Sequence, residues 1–454
     1  MTELRNARHL SVHDLRRRIN EGDVDTVVVA FTDVQGRLQG TRFHAPYFAE
    51  QVLEHGTEAP GYLLAVDVEM NITDRDDLPS VDRLNGEMKL LPDLQTIRLL
   101  HHQPGTVMVQ CDVVGPDETP IAESPRAILK QQLVAAASRE YAVLAGIELE
   151  FVAFHTSYQD AWQSHYRDLV PASQYNGEYS IMNGSRTEPL LHAIRNSIYA
   201  AGIDIESVSV KRSLGQHAIS CCHADALATA DNHVVVKTIA KEIAAEQGKS
   251  VTFMATYDQQ QGNSCHLRLS LRGADGSIVF WNNRGSTALC GAFVAGVLAT
   301  LHDFALLYAP NINSYKRFAG ESLGSSANSW GLDDRTSAVR VMGRNESARV
   351  ENRTPGADAN PYLALAAMIA GGLYGIDHDL ELGPALGGSA HSSEFSTPPH
   401  SLREARQVFG TSQLARMTFG DQVVDHYAAL ADVELAAFEA VVTDWELRRS
   451  FERM

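Results

Sequence analysis

Three segments of the chain alternate apolar and polar residues with a period of two, the pattern of a β-strand that buries one of its faces. The segment 146–151 (GIELEF) places its apolar residues on one face, and 265–271 (CHLRLSL) does the same with three leucines. In 349–353 (RVENR) the charged residues again fall on one side. The polar faces carry Glu148 and Glu150 in the first segment, His266, Arg268 and Ser270 in the second, and Arg349, Glu351 and Arg353 in the third.

One such strand is typical of a sheet edge that faces solvent. Three of them, each with an apolar back, predict instead a cavity lined by carboxylate, imidazole and guanidinium groups. Glu148 and Glu150 lie roughly 7 Å apart along their strand, so they need a cation or an arginine between them. Glu148, His266 and Glu351 suit a hard divalent cation such as Mg²⁺ or Mn²⁺ that bridges to phosphate. The arginines suit bidentate binding of anionic oxygens.

The rest of the pattern predicts an α+β protein of two domains. Strands are expected at 26–31, 105–113, 147–154, 265–272, 338–342 and 348–353. Helices are expected at 124–140, 188–201, 225–247, 288–308, 360–376 and 421–449. The turn-forming residues 115–118 (GPDE) separate a small N-terminal β domain, 1–115, from a larger domain, 116–454.

Composition narrows the range of functions. The 454 residues include 38 Lys and Arg against 56 Asp and Glu, a net charge of −18, which argues against nucleic acid as the main partner. Five cysteines without a C-x-x-C pair indicate reduced thiols. The N-terminus has no apolar leader and no apolar run reaches a membrane-spanning length of about 18 residues. We therefore expect a soluble cytoplasmic protein with no membrane partner.

The order of motifs along the chain resembles the glutamine synthetase family nearly from end to end. The matching segments are Phe31-Thr32-Asp33, 146–151, 252–255 (TFMA), 262–266 (GNSCH), 313–317 (NSYKR), 329–331 (SWG), 349–353 and 355–362 (PGADANPY). The resemblance implies a β-grasp N-terminal domain and a catalytic domain whose antiparallel strands form a funnel surrounded by helices. It also implies a homo-oligomer of two stacked six-membered rings, with active sites between adjacent subunits.

The resemblance further implies that ATP, with Mg²⁺ or Mn²⁺, phosphorylates the γ-carboxylate of glutamate before an amine displaces phosphate. Its ATP-side metal site maps onto Glu148, His266 and Glu351, and its first metal site retains Glu150. Catalytic positions map onto Asp33, which reaches into the neighbour's site, and onto Arg335, Arg340 and, as a possible flap acid, Glu321. Substrate positions map onto Gly262, Arg317 and Arg353, and nucleotide positions onto Glu206, Arg268, Ser270 and Arg349.

The chain departs from the family pattern at the first metal site. Within 208–218 (VSVKRSLGQHA), one expected glutamate is Ala218 and the other is Val210 or Lys211. In one interpretation, Lys211 or Arg212 supplies a fixed positive charge beside Glu150. In the other, both face solvent, which is the commoner position for such a pair.

Other departures are Arg268 in place of a nucleotide-side histidine, Thr256 in place of a frequent lysine, and Leu323 in place of the flap glutamate. His217 and His223 are alternative ligands, although a lone histidine is more often structural. The insert 156–187 is rich in aromatic residues and either walls an acceptor pocket or forms a surface excursion.

These features predict an ATP-dependent carbon–nitrogen ligase that joins glutamate, or a similar acid, to an organic amine. The general character of the chain favours the branch of the family that makes γ-glutamyl amides, with one well-formed metal site. The missing glutamates keep two alternatives open. One is a regulatory or ligand-binding protein on the same scaffold, and the other is a γ-glutamyl transferase or hydrolase that works without ATP.

Overall fold

A mixed sheet forms the N-terminal part of the computed structural model, which describes residues 9–72, 80, 84–258, 261–318, 328–386 and 398–454. Its strands lie in the order β2-β1-β6-β4-β3, with β5 beside β6, and only β1 and β6 pair in parallel. This central parallel pair agrees with the expected β-grasp. The strands are β1 (Thr26–Thr32), β2 (Leu38–His44), β3 (Thr57–Pro60), β4 (Glu87–Pro92), β5 (Arg98–Leu99) and β6 (Thr106–Val114).

Strand β1 is apolar from Val27 to Phe31 because both of its faces are buried there. Val27, Val29 and Phe31 pack into the N-terminal core, whereas Val28 and Ala30 belong to the larger core of the rest of the chain. The hairpin to β2 turns at Gly36, whose φ of 79° favours glycine. Helical segments on this part of the chain are Val12–Glu21, Ala45–Tyr47, Phe48–Val52, Leu53–His55, Gly61–Leu64 and Leu94–Thr96.

A nine-stranded sheet carries the polar faces singled out by the sequence. Its main path is β17-β18-β19-β14-β7-β9-β8, with β10 and β11 paired to β7, and its pairs are antiparallel except β17 with β18. The remaining strands form two small hairpins. The bounds are β7 (Tyr141–Phe154), β8 (Ile205–Val210), β9 (Gln216–Cys221), β10 (Ala224–Asp225), β11 (Ser250–Thr252), β12 (Thr256–Asp258), β13 (Gln261–Gly262), β14 (Cys265–Gly273), β15 (Trp281–Asn282), β16 (Gly285–Ser286), β17 (Trp330–Leu332), β18 (Val339–Met342) and β19 (Arg349–Asn352).

Helices cover the apolar back of this sheet. Leu267, Leu269 and Leu271 on β14 are fully buried in the larger core, with Val234 and Leu365 from two of the longer helices. The helices are Pro125–Ala137, Tyr158–Gln163, Ile181–Ala200, Ala226–Glu246, Ala288–Thr300, Ala305–Tyr308, Ile312–Lys316, Pro361–Asp377, Leu402–Thr411, Gln413–Phe419, Asp421–Glu439 and Asp444–Ser450, with a short helical turn at Asn345–Ser347. The α+β prediction is confirmed.

Three predicted helices differ in extent from those observed. The helix expected at 188–201 begins at Ile181, because the Ser180 side chain accepts the backbone N–H of Asn183, and it continues through Pro189. The helix expected at 421–449 is broken, since Thr443 and Glu446 form a capping box that starts a new helix. The helix expected at 288–308 is interrupted after Thr300.

The described residues contain no helix that is both long and apolar enough to cross a membrane. The last strand of the N-terminal sheet ends at Val114. After the turn at 115–118, the backbone N–H of Ile121 donates a hydrogen bond to the Val113 carbonyl. We propose that the boundary between the N-terminal domain and the larger domain lies between residues 115 and 116.

Close packing of two core helices yields a stability prediction. A Cβ at Gly296 would lie 2.1 Å from the Gly371 carbonyl oxygen, so Gly296→Ala should lower the free energy of unfolding by about 2 kcal/mol. In the same helix, a Cβ at Gly291 would meet only Leu382 Cβ, at 3.8 Å. Gly291→Ala should therefore be neutral or stabilising, by up to about 1 kcal/mol. Thermal and urea unfolding of both variants tests this, and equal midpoints would contradict it.

Candidate active site

The polar faces of the strands meet in one cavity of about 1050 Å³. Eight cationic side chains and five carboxylates line it, so the cavity is positive although the whole chain carries a charge of −18. Such a wall attracts anions. The cationic residues are Lys211, Arg212, Arg268, Lys316, Arg317, Arg335, Arg340 and Arg353, and the acidic residues are Glu148, Glu150, Glu178, Glu206 and Glu351.

Strand register brings the predicted residues together. His266 on β14 lies directly opposite Glu148 on β7, and Arg268 lies opposite Glu351 on β19. Arg340 on β18 faces Glu351 from the other side. Directly opposed residues on neighbouring antiparallel strands have Cβ atoms roughly 5 Å apart, close enough for their side chains to interact.

Glu148, His266 and Glu351 form a cluster whose ligand atoms all lie within 4.8 Å of one another. Nδ1 of His266 is buried and has no hydrogen-bond partner among the described residues. Burial and the Arg353 guanidinium lower the pKa of His266 to about 3, so the imidazole is neutral, the form that ligates a metal. The three side chains fit a hard divalent ion such as Mg²⁺ or Mn²⁺.

Glu351 is the most enclosed carboxylate of the cavity, with 1% of its side chain exposed. It accepts hydrogen bonds from Arg353 Nη1 at 3.0 Å, Arg268 Nε at 3.1 Å and Arg340 Nη1 at 3.4 Å. Burial alone would raise its pKa, but the neighbouring His266 and guanidinium groups outweigh burial and hold that pKa far below its usual range. Glu351 therefore stays ionised and keeps three arginines together.

Arg268 also donates to Glu148, whose other oxygen lies 2.5 Å from Lys211 Nζ. Burial opposes ionisation of Glu148, but the His266 imidazole, the Lys211 ammonium and the Arg268 guanidinium lower its pKa to about 2. Glu206, another carboxylate of the wall, lies 3.6 Å from Arg268 Nη1. Arg268 thus links the acidic side chains of three strands.

The expected first metal site retains the carboxylate of Glu150 but not the two further glutamates of the family pattern. Ala218 stands opposite Glu150 in the strand register, and Lys211 Nζ lies 3.6 Å from Glu150 Oε1. Burial raises the pKa of Glu150, and Lys211 only partly opposes this shift. Burial lowers the pKa of Lys211, but Glu150 and Glu148 outweigh it, so the ammonium is retained. The solvent-facing interpretation is wrong for Lys211, whereas Arg212 is exposed while also lining the cavity.

The predicted substrate side of the cavity is built around Gly262 and Arg317. A Cβ on Gly262 would lie 2.7 Å from Arg317 Cγ, so glycine lets this arginine approach. Arg317 is buried and donates to the Thr354 carbonyl and, at 3.3 Å, to Ser264 Oγ. Burial lowers the pKa of Arg317. Arg335 lines the cavity from an exposed turn.

Several predicted positions are not among the described residues that line the cavity. Ser270 and Arg349 share strands with lining residues but lie outside the wall. Asp33 is buried in the β1–β2 turn, where it accepts from Arg37 Nε at 2.7 Å and Gln39 Nε2 at 3.0 Å, and its role in a neighbour's site stays a prediction. Glu321 lies outside the described residues, as does Leu323.

The two alternative histidine ligands also lie outside the cavity wall. His217 is buried against the Phe151 ring, with centroids 5.7 Å apart, and burial lowers its pKa to about 4. Burial and nearby arginines lower the pKa of His223 to about 4. The structural role expected of a lone histidine agrees with the packing of His217.

The aromatic insert divides into two parts. Asn176, Glu178 and Tyr179 line the cavity, whereas Trp162 and Tyr166 lie on the surface of the chain with 69% and 66% exposure. Only the C-terminal part of the insert can therefore wall an acceptor pocket within this chain.

Strands β8 and β9 contribute residues to the cavity wall that the sequence pattern did not predict. Ser207, Ser209 and Lys211 alternate with valines and line the cavity, by the same period-two rule that identified the other strands. Gln216 on β9 also lines it and donates Nε2 to the Gly262 carbonyl at 2.9 Å. The signal was present in 206–211 (ESVSVK) but weaker, because serine is less distinctive than a charged residue.

Comparisons with known proteins agree with this geometry. The family model "Glutamine synthetase, catalytic domain" matches residues 122–450. The chain is 49% identical over 445 residues to gamma-glutamylethanolamide synthetase GlnA4 of Streptomyces coelicolor, covering 98% of this chain and 96% of the relative. It is 34% identical over 457 residues to a glutamate–isopropylamine ligase of a Pseudomonas species, covering 99% of each.

A solved structure of GmaS without ligand has a TM-score of 0.84 at 24% identity, covering 97% of this chain and 99% of that one, and therefore shares the fold. With the family model matched over most of the chain and the two relatives aligned almost end to end, the chain belongs to the glutamine synthetase family.

Proposed function

We propose that the protein is an ATP-dependent ligase that activates the γ-carboxylate of glutamate as an acyl phosphate and condenses it with an organic amine. One observation carries this proposal. Arg268, Arg340 and Arg353 surround the buried carboxylate of Glu351, which also belongs to the cluster of carboxylate and imidazole groups that fits a metal ion. A phosphoryl group in transit needs dispersed positive charge more than covalent chemistry. The names of both relatives, which make γ-glutamyl amides or join glutamate to an amine, agree with the proposal.

In this proposal each part of the cavity has a separate task. Arg317, beside Gly262, binds the carboxylate of the acid substrate, and Arg335, Arg340 and Arg353 hold the transferring phosphoryl group. Guanidinium groups suit both tasks because they bind carboxylate and phosphate bidentately. The nucleotide lies toward Glu206, Arg268, Ser270 and Arg349.

The cofactors of the proposed reaction are ATP and one Mg²⁺ or Mn²⁺ ion in a well-formed site. Glu148, His266 and Glu351 would hold the ion, which supplies positive charge to phosphate oxygens when bound. Glu148 and Glu351 each accept a hydrogen bond from Arg268. The guanidinium group of Arg268 therefore positions both carboxylate ligands as well as contributing positive charge to the cavity.

We further propose a cytoplasmic homo-oligomer of two stacked six-membered rings, in which Asp33 reaches a neighbour's active site. Asp33 lies outside the cavity of its own chain, which agrees with a role in a neighbour's site. Five unpaired cysteine thiols support a reducing compartment.

The main rival is a protein of the same fold that binds ligands without ligating them. The absence of acidic side chains at Ala218 and at Val210 or Lys211 favours this rival. The ionised Glu351 and its arginines favour the enzyme, because several buried guanidinium groups repel one another unless carboxylates or bound anions compensate them.

The proposed reaction predicts ADP release that depends on both glutamate and an amine. Purified protein with Mg·ATP and glutamate should turn over with an organic amine such as ethanolamine, isopropylamine, a polyamine or an aniline, and faster than with ammonia. Coupled ADP assays and mass spectrometry of the γ-glutamyl amide measure both products. Amide turnover in nucleotide-free buffer would identify a transferase or hydrolase instead, and no turnover with any amine would favour the non-ligating rival.

The metal cluster predicts a specific effect of His266→Gln. Because the imidazole is neutral, this change removes one ligand without disturbing the charge balance of the arginines. Mn²⁺ affinity and ligase turnover should each fall by about 100-fold or more. Calorimetry and steady-state kinetics measure the two effects, with His192→Gln on an exposed helix as the control. Unchanged Mn²⁺ affinity would remove His266 from the metal site.

The ring proposal predicts the mass of the native particle. Native mass spectrometry or mass photometry should give a particle of twelve chains. Asp33→Asn should lower turnover while leaving that mass unchanged. A stable, active monomer would contradict the shared site.

A further inference from the structure

The side chain of Lys211 enters the cavity between the carboxylates of Glu148 and Glu150, which lie two residues apart on β7. Nζ of Lys211 lies 2.5 Å from Glu148 Oε1 and 3.6 Å from Glu150 Oε1. The exposed fractions of the three side chains are 16%, 13% and 11%. A solvated surface ion pair is far more exposed, so this contact belongs to the interior of the site.

The local fold directs this side chain inward. The backbone N–H of Lys211 donates to the Gln216 carbonyl at 2.9 Å, which extends the β8–β9 pairing beyond Val210. Lys211 therefore shares the cavity face with Ser209, while Val210 is buried. Ala218, opposite Glu150, is small enough to leave room for the lysine chain.

The contacts leave little room for a divalent ion in the same place. Glu150 Oε2 accepts the backbone N–H of Ser264 at 2.7 Å, and its Oε1 faces the Lys211 ammonium. Mg²⁺ requires near-octahedral oxygen ligands at roughly 2.1 Å, whereas the Lys211 ammonium already lies between the two carboxylates and Ala218, opposite Glu150, offers no ligand oxygen. An ammonium needs only hydrogen-bond acceptors, and it supplies three donors.

We propose that Lys211 is the resident cation between Glu148 and Glu150, in the place where a second divalent ion would otherwise sit. The chain then has one divalent site, formed by Glu148, His266 and Glu351. Lys211 acts as a positioning residue, because it holds both glutamates of β7 in the cavity wall. This role adds a positioning residue to the proposed ligase. The predicted effect of Lys211 on turnover rests on the proposed function, whereas the predicted number of bound ions does not.

Counting Mn²⁺ on the nucleotide-free protein tests the inference directly. By electron paramagnetic resonance and calorimetry, the wild-type protein should bind one Mn²⁺ per chain. The double variant Lys211→Glu/Ala218→Glu supplies carboxylates around Glu150 and should bind two ions with a spin-coupled signal. Arg212→Met, which removes the neighbouring exposed charge, should still bind one. Two ions on the wild-type protein, or one on the folded double variant, would overturn the inference.

Single substitutions of Lys211 test the same idea if the double variant does not fold. Lys211→Met keeps the length of the side chain but not its charge, and should lower ligase turnover by about 100-fold. Lys211→Arg keeps the charge and should retain a larger share of turnover. Equal turnover in Lys211→Met and the wild-type protein would contradict the role.

The two hypotheses fail separately. If no amine supports turnover but the wild-type protein binds one ion and the double variant binds two, the proposed function is wrong and the role of Lys211 as resident cation is supported. If turnover is observed and the wild-type protein binds two ions, the ligase stands and the role of Lys211 fails.

Discussion

The buried carboxylate of Glu351 is the contact on which the rest of the cavity depends. Strand β19 lies between β14 and β18, so Glu351 meets Arg268 from one side and Arg340 from the other. Arg353, directly after the end of β19, also donates to Glu351. Three guanidinium groups this close repel one another unless a negative charge lies among them. Removing one member of such a buried set typically costs about 3–5 kcal/mol, since the remaining charges are left uncompensated. One glutamate thus fixes both the shape of the wall and its affinity for anions.

The period-two pattern predicted most of this wall. Where polar faces were charged and backed by leucine or aromatic residues, as on β7, β14 and β19, the predicted strands and their inward faces are confirmed. The same rule applied to β8 was weaker because two of its three inward residues are serines. The solvent-facing interpretation is wrong for Lys211 for a related reason: the β8–β9 pairing continues one residue past the strand and carries the lysine inward.

Other features depend on tertiary contacts that no local pattern reveals. The alternation on β14 places Ser270 on the polar face, yet the cavity ends before it, and Arg349 on β19 is outside the wall in the same way. Aromatic residues recur along the insert from Tyr158 to Tyr179, but only its segment near Tyr179 reaches the cavity. Periodicity gives the side of a strand on which a residue lies, whereas the depth of a cavity along that strand depends on which elements pack at each end.

The charge of the cavity also bears on the second substrate. In the proposed reaction the amine must be unprotonated to attack, although most alkylamines are protonated in neutral water. A wall with more cationic than acidic groups disfavours an ammonium ion and lowers the pKa of a bound amine, so the free base is favoured near Arg340 and Arg353. Glu178 and Glu206 are exposed, unlike the buried Glu351, and can attract the protonated form before it enters. The same distribution of charge that binds the anionic acid and phosphate therefore also favours the reactive form of the nucleophile.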